Sequence, residues 1–262
     1  METFDIGRTF ARAWRVALGT LASAGVLLLV VQVASLGLQF VMSSSMGTEL
    51  AAIQANPDPT ARLAIFQSGA YWALLFIGLV LWAFSSAAAQ FAMLRTADGA
   101  AVDLGGCLRA GAAKMIPLLV LMFLWGLGVG LGLALLIIPG LILMTTWSCA
   151  MQTLVSEGSG VIASFSRSRA LTKGSRIKIF VVLLAYLIAV YAILFGIVGA
   201  VIGFNMTGIA AMANASPVFL VSSAMLGWIN AVALNALLAS IFIECRNSKE
   251  GGSTEQMTEV FA

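Results

Sequence analysis

Residues 139 to 178 read PGLILMTTWSCAMQTLVSEGSGVIASFSRSRALTKGSRIK. The stretch holds a proline-glycine break at Pro139 and Gly140, a short apolar run, one acid at Glu157, and then Arg167, Arg169, Lys173, Arg176 and Lys178. Pro139 donates no backbone hydrogen bond and its fixed φ suits a first helical turn, so one helix ends and another begins at a tight bend here. Apolar runs of spanning length flank the basic segment, and five cations against one acid mark a cytoplasmic connection under the positive-inside rule. That connection sets the sense in which the chain threads a bilayer.

Composition agrees. Of 262 residues, 61% are hydrophobic and 10% charged, where a soluble domain carries about 25% charged residues. The mean hydropathy of +1.02 belongs to an integral membrane protein. The net charge is only +3 and no basic cluster is interleaved with aromatics outside the membrane connections, so nucleic acid is excluded as a partner. The basic residues face anionic lipid headgroups instead. Cys107, Cys149 and Cys245 are too scattered for a disulfide framework or a zinc site, and histidine is absent. The commonest general base and the commonest transition-metal ligand are therefore both missing, and no cofactor is expected.

Working toward the N-terminus, Leu141–Val155 is the fourth span, 15 residues against a usual minimum of about 17. Either it spans, by borrowing Pro139 and Gly140 or through local thinning of the bilayer, or it is a re-entrant hairpin that reverses the sidedness of all that follows. The charge distribution argues against that reversal, which would put 167–178 outside. The third span, Met115–Ile138, carries Gly126, Gly128, Gly130 and Gly132, two small-xxx-small pairs that let a neighbouring backbone approach. Before it, Thr96–Lys114 forms a connection with a turn at Asp98-Gly99 and a small amphipathic helix capped by Asp103. The second span is Ala70–Leu94, and Ser43–Ser68 is a polar outer segment. The first span is Leu18–Met42, too long for a signal peptide's apolar core and so retained. Phe4–Val16 is an amphipathic helix on the membrane surface, capped by Asp5, with Arg8, Arg12 and Arg15 on one face and Phe10, Ala13 and Trp14 on the other.

Toward the C-terminus, Ser159–Lys173 is a basic surface helix capped by Ser159 and released at Gly174, its apolar side formed by Val161, Ile162 and Phe165. The fifth span, Ile179–Gly203, an uncharged loop over 204–216, and the sixth span, Val218–Ile243, follow. The chain is thus an all-α polytopic membrane bundle of six transmembrane helices with short amphipathic cytoplasmic helices. The membrane domain covers 1–243, and a polar cytoplasmic tail covers 244–262. With this threading, 13 of the 14 Lys and Arg residues lie inside, Arg62 alone lies outside, and both termini are cytoplasmic. Phe4-Asp5-Ile6-Gly7 and Val102-Asp103-Leu104-Gly105 share a pattern, each before a pair of spans, which predicts three parallel units over 1–94, 102–155 and 157–243.

No charged residue falls near the middle of a span, which weighs against ion-coupled transport. Gln90, Gln152, Asn230 and Asn235 either line a polar cavity or bond across helices for a net of about 0.6 kcal/mol each. Glu157 is either an ionic latch to a nearby arginine or an interfacial acid favoured by a helix N-terminus. The predicted anionic-lipid contacts are Arg8, Arg12, Arg15, Arg167, Arg169, Lys173, Arg176 and Lys178.

Ile138-Pro139-Gly140, Trp147, Glu157-Gly158, Arg167-Ser168 and Leu171-Thr172-Lys173-Gly174 together resemble the pattern of bacterial YciC-like proteins and of the membrane domain attached to some glycerophosphoryl diester phosphodiesterases. Lys249-Glu250-Gly251 and Glu259-Val260-Phe261 resemble the ending of alphaproteobacterial members. The resemblance implies a multipass protein of the bacterial inner membrane. It does not bring the phosphodiesterase activity, which belongs to a separate soluble domain with acidic and histidine residues that this chain lacks. The reading that follows is a non-enzymatic protein with a structural, regulatory or adaptor role at the lipid surface. Its rival is a transporter or lipid-handling protein with a polar cavity between its helices.

Overall fold

The computed structural model describes residues 4–55, 69–202 and 217–251, and these residues are helices joined by short turns, without a strand. Among the described residues, six helical stretches are long and apolar enough to cross a bilayer. The protein is an all-α membrane bundle. Residues 56–68 of the expected outer segment 43–68, the whole expected loop 204–216 and residues 252–262 of the expected tail 244–262 lie outside the described residues.

Helix α1 (Ile6–Gly19) starts where Asp5, in an extended conformation, accepts the Arg8 N–H at 2.7 Å, a cap of about 1 kcal/mol. After Thr20 a π-helical turn, Leu21–Gly25, bends the chain into α2 (Val26–Ala55). Both ends of α1 meet the same end of the bundle. The Asp5 N–H reaches Glu244, and a Cβ on Gly19 would stand 3.2 Å from Thr96. A helix of 14 residues, roughly 21 Å long, therefore lies across the bundle and not along it. Helix α2 does not stop at Met42 as the polar residues after it suggest but continues to Ala55.

Helix α3 (Gly69–Ala97) is followed by α4 (Leu104–Leu135), which Asp103 caps through the Gly106 N–H at 3.1 Å. The expected small helix and the third span are one continuous helix, because nothing between Asp103 and Met115 breaks the hydrogen-bond ladder. The break before the fourth span falls at Leu136, whose extended backbone ends α4, and Pro139 sits in the first turn of α5 (Ile137–Thr146). A turn over 147–149 leads to α6 (Ala150–Ser156). The fourth span is thus two helices in tandem.

Whether that span crosses or turns back follows from its contacts with α4. Gly140 packs on Gly132, Trp147 on Gly128, Leu154 clusters with Leu118 and Leu121, and Gly158 reaches Lys114. The partners descend α4 steadily for 18 residues, about 27 Å, close to the roughly 30 Å hydrocarbon thickness. The re-entrant reading is excluded. Only one of the two glycine pairs makes this packing: a Cβ on Gly128 would stand 2.4 Å from Trp147 and one on Gly132 2.9 Å from the Gly140 Cα, while Gly126 and Gly130 have nothing within 4 Å. Side chains 3.6 residues apart cannot share a face with their neighbours two positions away, so the pairs point to different surroundings.

Helix α7 (Val161–Thr172) begins at Gly160 without a side-chain cap. Ser159 instead lies 2.8 Å from the Ser164 hydroxyl. Gly174, at φ 89°, releases the chain into α8 (Arg176–Ile202), as its freedom in the left-handed region allows. Helix α9 (Pro217–Glu250) passes through the boundary drawn after Ile243 without interruption. The core is two apolar clusters. Ala88, Ala92 and Met93 of α3 pack with Leu237, Ile241 and Phe242 of α9, while Ala83 and Ala87 of α3 pack with Leu118, Leu121 and Leu154. The small residues of α3 let both neighbours come close. Helix α8 stands at the edge, only 11% of its spanning window buried, with Leu187 and Ile188 turned outward.

Candidate functional site

The ion pairs gather at one end of the bundle, on α1, α7 and the ends of α3, α6 and α9. Glu244 is the centre of the first cluster. Its carboxylate is 3% exposed and takes Arg12 at 2.8 Å and Arg8 at 3.0 Å, and it also accepts the Asp5 N–H at 3.2 Å. A buried carboxylate persists only when it is paired and hydrogen-bonded, and here three donors satisfy it. Lys178 extends the same cluster by donating to the Phe4 carbonyl at 2.7 Å, so α8 and the N-terminus are tied together. Arg246 pairs with Asp98 at 2.7 Å, tying α9 to the end of α3.

The second cluster is centred on Arg167. It pairs with Glu157 at 3.1 Å and with Glu250, joining the end of α6, helix α7 and the end of α9. The bond to Glu250 above all, with Glu157 adding to it against desolvation, raises the guanidinium above its ordinary value. Glu157 is the C-cap of α6 and faces an arginine; it does not cap α7. All three partners are about a third exposed or more. Arg169, Lys173 and Arg15 are exposed and form no ion pair with a described residue. Arg176 is half-buried, and its Nε has no hydrogen-bond partner among the described residues.

Beneath the second cluster lies a feature the charges conceal. Ser164, Ser168 and Thr172, four residues apart on α7, are all fully buried. The Ser168 hydroxyl donates to the Thr146 carbonyl at 2.8 Å and accepts the Cys149 N–H at 3.2 Å; Thr172 donates to the same carbonyl at 3.2 Å. The Thr153 hydroxyl reaches the Ser164 carbonyl at 3.3 Å. The backbone groups freed by the break between α5 and α6 are therefore satisfied by the hydroxyl row. The row is the most deeply buried part of the inward face of α7, and Val161 and Phe165 stand partly buried beside it against the Leu118, Leu121 and Leu154 cluster, as expected, while Ile162 is turned away. Ile162 is 72% exposed, and Phe165 also meets the Trp147 ring with centroids 4.7 Å apart.

Of the four polar residues read as lining a cavity or bonding across helices, three bond across helices. Gln90 donates to the Asn235 side chain at 2.9 Å across α3 and α9, and Tyr186 of α8 donates to the Asn230 side chain at 2.7 Å. Gln152 is fully buried, and neither atom of its amide has a hydrogen-bond partner among the described residues. A cavity of about 300 Å³ does lie elsewhere, beneath α1, and none of the four lines it. Among the described residues no three Cys, Asp or Glu side chains gather where they could hold a metal.

Sequence reading missed Glu244, because an acid at the end of an apolar run looks like the first residue of a tail. The hydroxyl row carried a usable signal, its spacing of four. Comparison with family models, with curated proteins and with solved structures found no match to this chain.

Proposed function

We propose that this chain is a non-enzymatic protein of a bacterial inner membrane, with its basic end cytoplasmic and engaged with anionic lipid headgroups, and that its role there is structural, regulatory or adaptor. The likeness to YciC-like membrane domains belongs to the same proposal. The observation that carries it is the division of the cations at that end. Arg8, Arg12, Arg167 and Arg246 are taken up by carboxylates and fasten the short helices to the spans. Arg15, Arg169 and Lys173 are left exposed on those same fastened helices and their exits. A rigid rim carrying free cations suits an anionic surface, at roughly 1 kcal/mol for each Lys or Arg near it.

The test is the triple variant Arg15→Gln, Arg169→Gln and Lys173→Gln, purified from membranes and analysed for retained lipid. A fall in anionic lipid relative to zwitterionic lipid, with thermal unfolding unchanged, is the expected result. An unchanged lipid profile contradicts the proposal. The rival reading, a transporter or lipid-handling protein, is favoured by one observation: the tandem fourth span, whose second helix buries the Gln152 amide without a hydrogen-bond partner among the described residues.

A further inference from the structure

The cavity beneath α1 has two walls. One is the face of α1 that carries Trp14, Ala17 and Leu18; the other is built by Tyr186 of α8 and by Trp228 and Ala233 of α9. Its lining is almost wholly apolar, and its volume of about 300 Å³ lies at the small end of the range for ligand pockets, about 300–1,000 Å³. The wall residues of α1 recur at positions 10, 14, 18 and 21, while Arg8, Arg12 and Arg15 lie round the opposite side of the helix. Because α1 lies across the basic end of the bundle, its arginine side is at headgroup level and the cavity opens on the hydrocarbon side.

We propose that this groove holds one acyl chain of an anionic phospholipid, whose headgroup meets Arg15. Charge decides the class of lipid. Arg15 follows Trp14 directly, is exposed and makes no ion pair with a described residue. A chain seated under Trp14 and Leu18 thus emerges beside an exposed cation on the neighbouring residue of the same helix. Trp14 is 68% exposed and Leu18 51%, so their apolar surface gains a partner when the groove fills.

This inference rests on the basic end facing a lipid leaflet, and the experiment keeps the two apart. The full-length protein is stripped in mild detergent, and dioleoyl phosphatidylglycerol or dioleoyl phosphatidylcholine is added and counted by native mass spectrometry. Wild type is expected to keep one phosphatidylglycerol through the activation that removes the rest. Ala233→Trp or Ala17→Phe, each filling the groove, is expected to lower that retention at least tenfold with unchanged thermal unfolding. Arg15→Gln is expected to cut the preference for phosphatidylglycerol about fivefold and leave phosphatidylcholine untouched. Equal retention of the two lipids by wild type overturns the proposal without any variant. So does wild-type retention in both groove-filling variants, and so does a protein dimer in place of the lipid adduct. If Arg169→Gln with Lys173→Gln loses anionic lipid while the groove variants bind as wild type, the groove proposal fails and the broader reading stands.

Discussion

Helices α1 and α7 look alike in sequence, since each is short, carries arginines and precedes an apolar run, yet they are fastened by opposite chemistry. Helix α1 turns two arginines onto Glu244, a carboxylate 3% exposed, and so ties itself down by charge. Helix α7 keeps its arginine in an exposed pair with Glu157 and Glu250 and ties itself down with the neutral row Ser164, Ser168 and Thr172. The difference follows from what each helix covers. The first lies over an intact α9, whose backbone groups are already bonded along the helix, so that the Glu244 side chain is what it pairs with. The second lies over a broken span whose own backbone groups need partners. Similar basic helices therefore place their stability in different residues.

The comparison breaks most visibly at α1. Replacing Arg8 and Arg12 together by Gln leaves Glu244 charged, buried and unpaired, and thermal unfolding in detergent should show a loss of about 3–5 kcal/mol. Glu244→Gln should cost less, because the arginines it releases already reach the surface. The corresponding blow to α7 is Ser168→Val. It strands the Cys149 N–H inside the bundle at a cost of about 1–3 kcal/mol, and the Cys149 amide should lose protection from hydrogen exchange. Glu157→Gln should cost only about 0.2–1 kcal/mol, a loss that rising salt diminishes. If Glu157→Gln proved as damaging as the arginine pair, the distinction between the two fastenings would be lost. The smallest effect belongs to Arg15, Arg169 and Lys173, whose neutralisation should leave stability unchanged and alter only the lipid retained.

Much of this architecture could be read in the residues themselves. Apolar run lengths gave the spans, and Asp5 and Asp103 announced two helix starts that the backbone confirms. The failures share a physical cause. A polar residue does not end a helix, so α2 runs past Met42 and α9 past Ile243, and the Glu244 cluster lay hidden in what looked like a tail. Ser159 resembles a cap, but Gly160 takes that position and the serine serves the neighbouring hydroxyl row. Periodicity counts apolar residues, so a face made of buried hydroxyls, such as that of α7, goes unseen. Pairing across distance is likewise invisible in one sequence: Gln90 found Asn235 and Asn230 found Tyr186, but Gln152 found no partner among the described residues.

Everything rests on α1, α7 and the ends of α3, α6 and α9 sharing one side of a bilayer, with the start of α3 on the other. All three native cysteines are fully buried, so single cysteines can be introduced against a silent background. A membrane-impermeant maleimide added to intact cells stripped of their outer barrier should label Gly69→Cys and leave Ser166→Cys and Lys249→Cys untouched until the membrane is opened. Labelling of Ser166→Cys before opening, with Gly69→Cys protected, would contradict the account.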